Sequence, residues 1–100
     1  MKKDSIKVIV KRPGEKPEWQ TIPNTLEALQ EIVGGYIEAV SPFTDAVIIC
    51  NEEGRIRGLE YNCDVFGYGF VGTIIFAGVD GEEFDDFPQD IELVNGMIND

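Results

Sequence analysis

A chain of 100 residues with 43% apolar side chains and five prolines has room for one hydrophobic core and the composition of a folded domain. This excludes a disordered chain and a second independent domain. Its net charge of −11 is lopsided: residues 1–57 hold all eight Lys and Arg with nine acids, and residues 58–100 hold ten acids and no base. Such a balance disfavours direct nucleic-acid binding, which needs a stripe of cations to displace counterions.

In chain order, "IKVIVKR" alternates Ile6, Val8 and Val10 against Lys7 and Lys11, the period of a strand with one buried face. "PGEKP" turns the chain and "EWQTI" returns it, so an N-terminal hairpin is expected. Lys2, Lys3, Lys7, Lys11, Arg12 and Lys16 then read as its solvated charges. "PNTLEALQEIVGG" is the clearest helix: Asn24 is placed to cap, Glu27 completes a capping box, and Gly34 supplies the left-handed stop. Leu26, Leu29 and Val33, with Ile32, form its apolar stripe.

"YIEAV" reads as a strand, "SPFTD" as a turn, and "AVIIC" as a central strand buried on both faces. "NEEG" should turn the chain at Gly54 into a short strand "RIRGL", giving a second hairpin. "EYNCDVFGYGF", with its glycine and asparagine breaks, reads as an ordered aromatic loop. "VGTIIFAGV" is the last strand, and "DDFPQDIELVNGMIN" a C-terminal helix opened by Asp85, Asp86 and Pro88, striped by Ile91, Val94 and Ile98, and weakened at Gly96. The expected fold is therefore α+β in a single domain spanning residues 1–100: a mixed sheet of about five strands with an N-terminal hairpin, one packed central helix and a C-terminal helix. A ubiquitin-like grasp arrangement fits that order.

The absence of histidine removes Ser-His and Cys-His dyads, imidazole metal sites and the commonest general base. Two cysteines cannot complete a structural zinc site; Cys50 reads as a buried small hydrophobe and Cys63 as a more exposed thiol, both reduced. Gly67, Gly69 and Gly72 spell G-x-G-x-x-G but precede a strand instead of joining strand to helix, so no phosphate cradle is expected. Asp80, Glu82, Asp85 and Asp86 supply oxygens for calcium without the spacing of an EF-hand loop. No cofactor and no catalytic residue is assigned, and a non-enzymatic protein is expected. No apolar run approaches the ~18 residues of a membrane span, and the short apolar run after the opening lysines is no secretory signal; a soluble, cytoplasmic protein is expected.

Two functional readings remain. "DGEEFDDFPQDIE" carries seven carboxylates in thirteen positions: Asp80, Glu82, Glu83, Asp85, Asp86, Asp90 and Glu92. Displayed along one edge they would dock on a basic host protein, in the most specific form by standing where DNA phosphates lie. The alternative is a small-ligand module in which Tyr61, Phe66, Tyr68 and Phe70 stack on a planar ligand if exposed, or fill the core if buried.

The segments "IKVIVKRPGEKPE", "TLEALQEIVGGYIEAV", "ICNEEGRIRGLEYN" and "VGTIIFAGVDGEEF", across residues 6–84, give the chain a further identity. It resembles a family of short proteins known as a domain of unknown function, encoded on phages and mobile elements of gut Firmicutes. Members tend to carry proline soon after the Gly-Leu that is here Gly58-Leu59, where this chain has Glu60-Tyr61. The resemblance brings no activity, cofactor or site residue. It implies an accessory role on a mobile element, at times near antirestriction proteins, and so a host-interacting partner.

Overall fold

The computed structural model describes residues 3–41 and 43–99; Lys2 and Pro42, which belong to the basic cluster and the "SPFTD" turn of the sequence reading, lie outside them. The chain runs β1 (Ser5–Lys11), β2 (Glu18–Pro23), α1 (Leu26–Val33), β3 (Ile37–Val40), β4 (Ala46–Asn51), β5 (Tyr61–Val65), β6 (Tyr68–Val71), β7 (Ile74–Asp80), β8 (Glu83–Asp85), α2 (Ile91–Met97) and β9 (Ile98–Asn99). A six-stranded sheet has the order β2-β1-β7-β4-β3 with β8 added on β7, and a three-stranded sheet has the order β6-β5-β9. The class is α+β, as expected, with more strands than the five anticipated. Every pairing is antiparallel, β1 with β7 included, where the sequence reading expected a mixed sheet.

Strict alternation along the central strands sorts the core into two slabs. Ile6, Val8, Val10, Val47, Ile49, Ile75 and Ala77 face α1, which covers them with Leu29 and Val33. Ile9, Ile48, Cys50, Ile74 and Phe76 face the other way, toward Cys63, Val65 and Phe70 of the small sheet and Val94 of α2. The large sheet is thus the middle of three layers, which is why β4 and most of β7 are buried on both faces.

Several local expectations are corrected. Asn24 does not cap α1. Its side chain is buried and donates to the carbonyl oxygens of Lys3 (3.0 Å) and Phe84 (3.4 Å), while Thr25 Oγ1 accepts from Ala28 N at 3.1 Å. Gly34 closes the helix in the left-handed region, as expected, but Leu26 is half exposed. Residues 52–58 form overlapping turns instead of a strand. Asn51 Oδ1 accepts from Glu53 N at 2.8 Å, an Asx turn that folds the chain back on itself, and it is Gly58 (φ 69°), not Gly54, that takes a positive φ.

The aromatic segment is not a loop but the β5–β6 hairpin. Phe66 (φ 51°) and Gly67 (φ 80°) both take the positive φ of a type I′ turn, whose twist suits paired strands. Cys63 is fully buried. Lys11, expected in solvent, is also fully buried. Its ammonium donates to Asn62 Oδ1 (2.9 Å) and the Arg12 carbonyl oxygen (3.0 Å), and Asn62 Nδ2 donates to the carbonyl oxygens of Lys11 and Gly72, both at 2.8 Å.

The C-terminal helix begins only after Asp90, and residues 83–85 ahead of it are strand. Asp85, Asp86 and Pro88 therefore do not open it. Gly96 is tolerated in its last turn, and Ile98 leaves the helix to pair with Val65.

Candidate functional site

The acidic stretch is divided by the fold. β7 pairs with β1 through Ile74–Phe76 and with β8 through Gly78–Asp80, so β8 takes over from β1 where β1 diverges. Asp85 and Asp86 fasten that junction. Lys3 Nζ lies 2.9 Å from Asp85 Oδ1 and 2.8 Å from Asp86 Oδ2, and Asp86 Oδ1 accepts from Lys7 N at 2.8 Å. Phe87 N then donates to the Lys7 carbonyl oxygen at 2.8 Å, seating the Phe87 ring 6.0 Å from Phe76 and 6.2 Å from Trp19. The Lys3 ammonium holds both carboxyls below the usual carboxylate range, helped by the backbone N–H of Asp86 on Asp85 and of Lys7 on Asp86. These two acids are structural.

Asp80, Glu82 and Glu83 are different: they form the exposed β7–β8 turn. Because β1 and β4 both run antiparallel to β7, the starts of β1 and β4 share one end of the large sheet with the close of β7 and of β2. Asp4, Asp45 and the first turn of α1, with Glu27, join them there. All six acids are exposed and none is ion-paired among the described residues. Among the described residues the cations nearest this end are Lys3, engaged by Asp85 and Asp86, and Lys7. Asp90 and Glu92 sit instead at the start of α2, so the seven acids do not form one edge. Sequence reasoning did not group Glu27 and Asp45 with Glu82 because only the folded topology brings the start of α1 and the start of β4 to the same end of the sheet. For the calcium reading, Asp85 and Asp86 already surround a lysine, and no group of three or more metal-ligating side chains occurs among the described residues.

The aromatic quartet is divided too. Phe70 is buried in the core, and its ring lies 4.7 Å from that of Tyr68. Phe66 projects at the turn, 6.1 Å from Phe43. The Tyr61 hydroxyl donates to Asp64 Oδ1 at 2.9 Å. Tyr61, Phe66 and Tyr68 are exposed, and Tyr68 and Phe70 line the same cavity.

That cavity is a cleft of about 250 Å³ at the opposite end of the sheet, lined by Tyr68, Gly69 and Phe70 on one side and by Glu38, Glu52 and Arg55, among others, on the other. The Arg55 guanidinium donates to the Gly69 carbonyl oxygen. Cys50 lies in the wall, its thiol pushed up to about 11 by burial first and by Glu38 second, with Arg55 opposing. Glu38 carries no sequence signal for this role; it reaches the cleft because β3 registers it opposite Cys50.

Fold and sites together define a small three-layer α+β domain with an acidic end and a cleft beside a sheet edge. The chain belongs to the family described as Domain of unknown function (DUF3846), whose model matches residues 6–99. No curated protein and no solved structure matches the chain. Among the described residues no helix is long and apolar enough to cross a membrane.

Proposed function

We propose that this domain is a non-enzymatic, cytoplasmic binding protein, an accessory of phages or mobile elements of gut Firmicutes, that docks its acidic end on the basic surface of a DNA-handling host protein. One observation carries the reading: the exposed carboxylates of Glu27, Asp45, Asp80, Glu82 and Glu83 gather at one end of the sheet, where the Lys3 ammonium is already engaged by Asp85 and Asp86. Like charges held together on a rigid scaffold project a field that steers and orients a basic partner more than it adds raw affinity. Asp85 and Asp86 drop out of the set of seven because their carboxylates are engaged by Lys3 and the Lys7 amide, and Asp90 and Glu92 become peripheral.

The test compares immobilised wild-type protein with the D80K/E82K/E83K variant against host lysate, washed at low and then high salt. The reading expects a basic, DNA-handling protein that is retained by the wild type, released by salt and by competing DNA, and lost with the variant. Equal retention by both proteins refutes it.

A further inference from the structure

The cleft suggests a second contact at the opposite end of the molecule, independent of the acidic end. β6 is an outer strand of the small sheet. Val65 and Tyr68 close a two-residue hairpin, so they form the hydrogen-bonded pair, and the next pair, Asp64 and Gly69, is non-hydrogen-bonded. The N–H and C=O of Gly69 therefore point away from β5, toward the free edge. The Arg55 guanidinium on the Gly69 carbonyl agrees with that direction.

The free edge opens into the cleft, so the cleft has a strand's polar backbone along one wall and the carboxylates of Glu38 and Glu52 among its other lining groups. At about 250 Å³ it falls below the range of roughly 300–1,000 Å³ for drug-sized ligands. A side chain with its local backbone suits it better than a whole small molecule. Two carboxylates against one guanidinium leave the lining negative.

We propose that this cleft is a strand-addition site for an extended segment of a partner protein, which pairs with the free edge of β6 at Gly69 and places an arginine or lysine side chain against Glu38 and Glu52. Main-chain pairing at a sheet edge supplies affinity and the flanking pockets supply specificity. Arg55 is the guard. In the free protein it satisfies the Gly69 carbonyl and blunts the edge, as charged side chains on edges do. It must swing aside for the incoming strand, and its exposed position on the 52–58 turn leaves it free to do so.

The probe is the peptide acetyl-Thr-Val-Arg-Val-Thr-amide, with its Arg→Glu counterpart as control, titrated into isotope-labelled protein and followed by amide NMR. The arginine peptide is expected to shift the Gly69 amide, with Gly54 and Tyr68, and the glutamate peptide is not. E38Q/E52Q should weaken binding about two- to fivefold, the range of partly exposed ion pairs. R55A should tighten it by a similar factor, because it removes both the competitor for the Gly69 carbonyl and a like charge. Weaker binding in R55A overturns the proposal, since it would make Arg55 an anchor for an anion. So does an arginine peptide that shifts Glu82 and Glu83 but not Gly69. Shifts at Gly69 that depend on protein concentration and resist peptide competition would assign the edge to self-association and also overturn it.

Discussion

Replacing Asn62 with alanine tests the part of the fold least visible in the sequence. Asn62 is 2% exposed and sits at the irregularity of β5 between Tyr61 and Cys63, where it ties the small sheet to the end of β1. Its two Nδ2 bonds, at 2.8 Å to the Lys11 and Gly72 carbonyls, are worth about 1 kcal/mol each. Its bond from the Lys11 ammonium, at 2.9 Å, is worth about 1.5–3 kcal/mol because the donor is charged. N62A should therefore cost about 3–5 kcal/mol, against a total of about 5–15 kcal/mol for a domain of ordinary stability. The melting temperature should fall by more than about 12 °C. Urea denaturation of N62A, K11M and the double variant gives both the cost and the coupling between the two side chains. A loss below about 1 kcal/mol in N62A, or a coupling below about 0.5 kcal/mol, would refute the claim that this cluster joins the sheets.

A Cβ on Gly78 would run into the backbone carbonyl of Asp86, so G78A should cost about 2 kcal/mol or more by prising β8 from β1, with the Lys7 amide resonance moving first in NMR. The carboxyls of Asp85 and Asp86 are held low, so their contribution is complete above the unfolded carboxylate value of about 3.9 and is lost as pH falls through their lower folded values. Lys3 is pushed up by the same contacts, and its contribution is lost only as pH rises through that raised value. Wild type should thus lose more of its denaturation midpoint than K3M between about pH 7 and pH 3, and equal losses would count against the clamp. The Cys50 thiol, moved from 9.0 to about 11, should carry about a hundredfold less thiolate at pH 8 than in the unfolded chain. Alkylation mapped by mass spectrometry should show that slowing, partly relieved in E38Q.

Where hydrophobic period and burial agree, the sequence is an adequate guide. "AVIIC" is apolar at every position because layers cover both faces of β4, and Gly34 ends α1 because only a glycine sits there without strain. Two of the misreadings share a physical cause: a local rule was outbid by a distant partner. Asn24 has the chemistry of a cap, but the Lys3 and Phe84 carbonyls claim its amide. Asp85 and Asp86 have the chemistry of a helix start, but Lys3, more than eighty residues away in sequence, claims their carboxylates. The aromatic segment has the breaks of a loop, yet Phe66-Gly67 is a turn that closes a hairpin, and Asn62 is the irregularity that lets β5 continue past it. The partners of Asn24, Asp85 and Asp86 lie far along the chain, and no periodicity encodes them.

The same division bears on function. Asp85 and Asp86 hold β8 against β1, so reversing them would damage the fold and say nothing about a partner. Asp80, Glu82 and Glu83 lie on an exposed turn, with no ion pair among the described residues, so reversing them should leave stability near the wild-type value, within about 0.5 kcal/mol for surface positions. Loss of partner capture in D80K/E82K/E83K, with an unchanged denaturation midpoint, therefore reads directly on docking. The cleft beside β6 lies at the other end of the sheet and answers to Glu38, Glu52 and Arg55. A partner that survives reversal of the acidic turn but is lost in E38Q/E52Q would refute docking through the acidic end and support the proposed contact at the open strand edge.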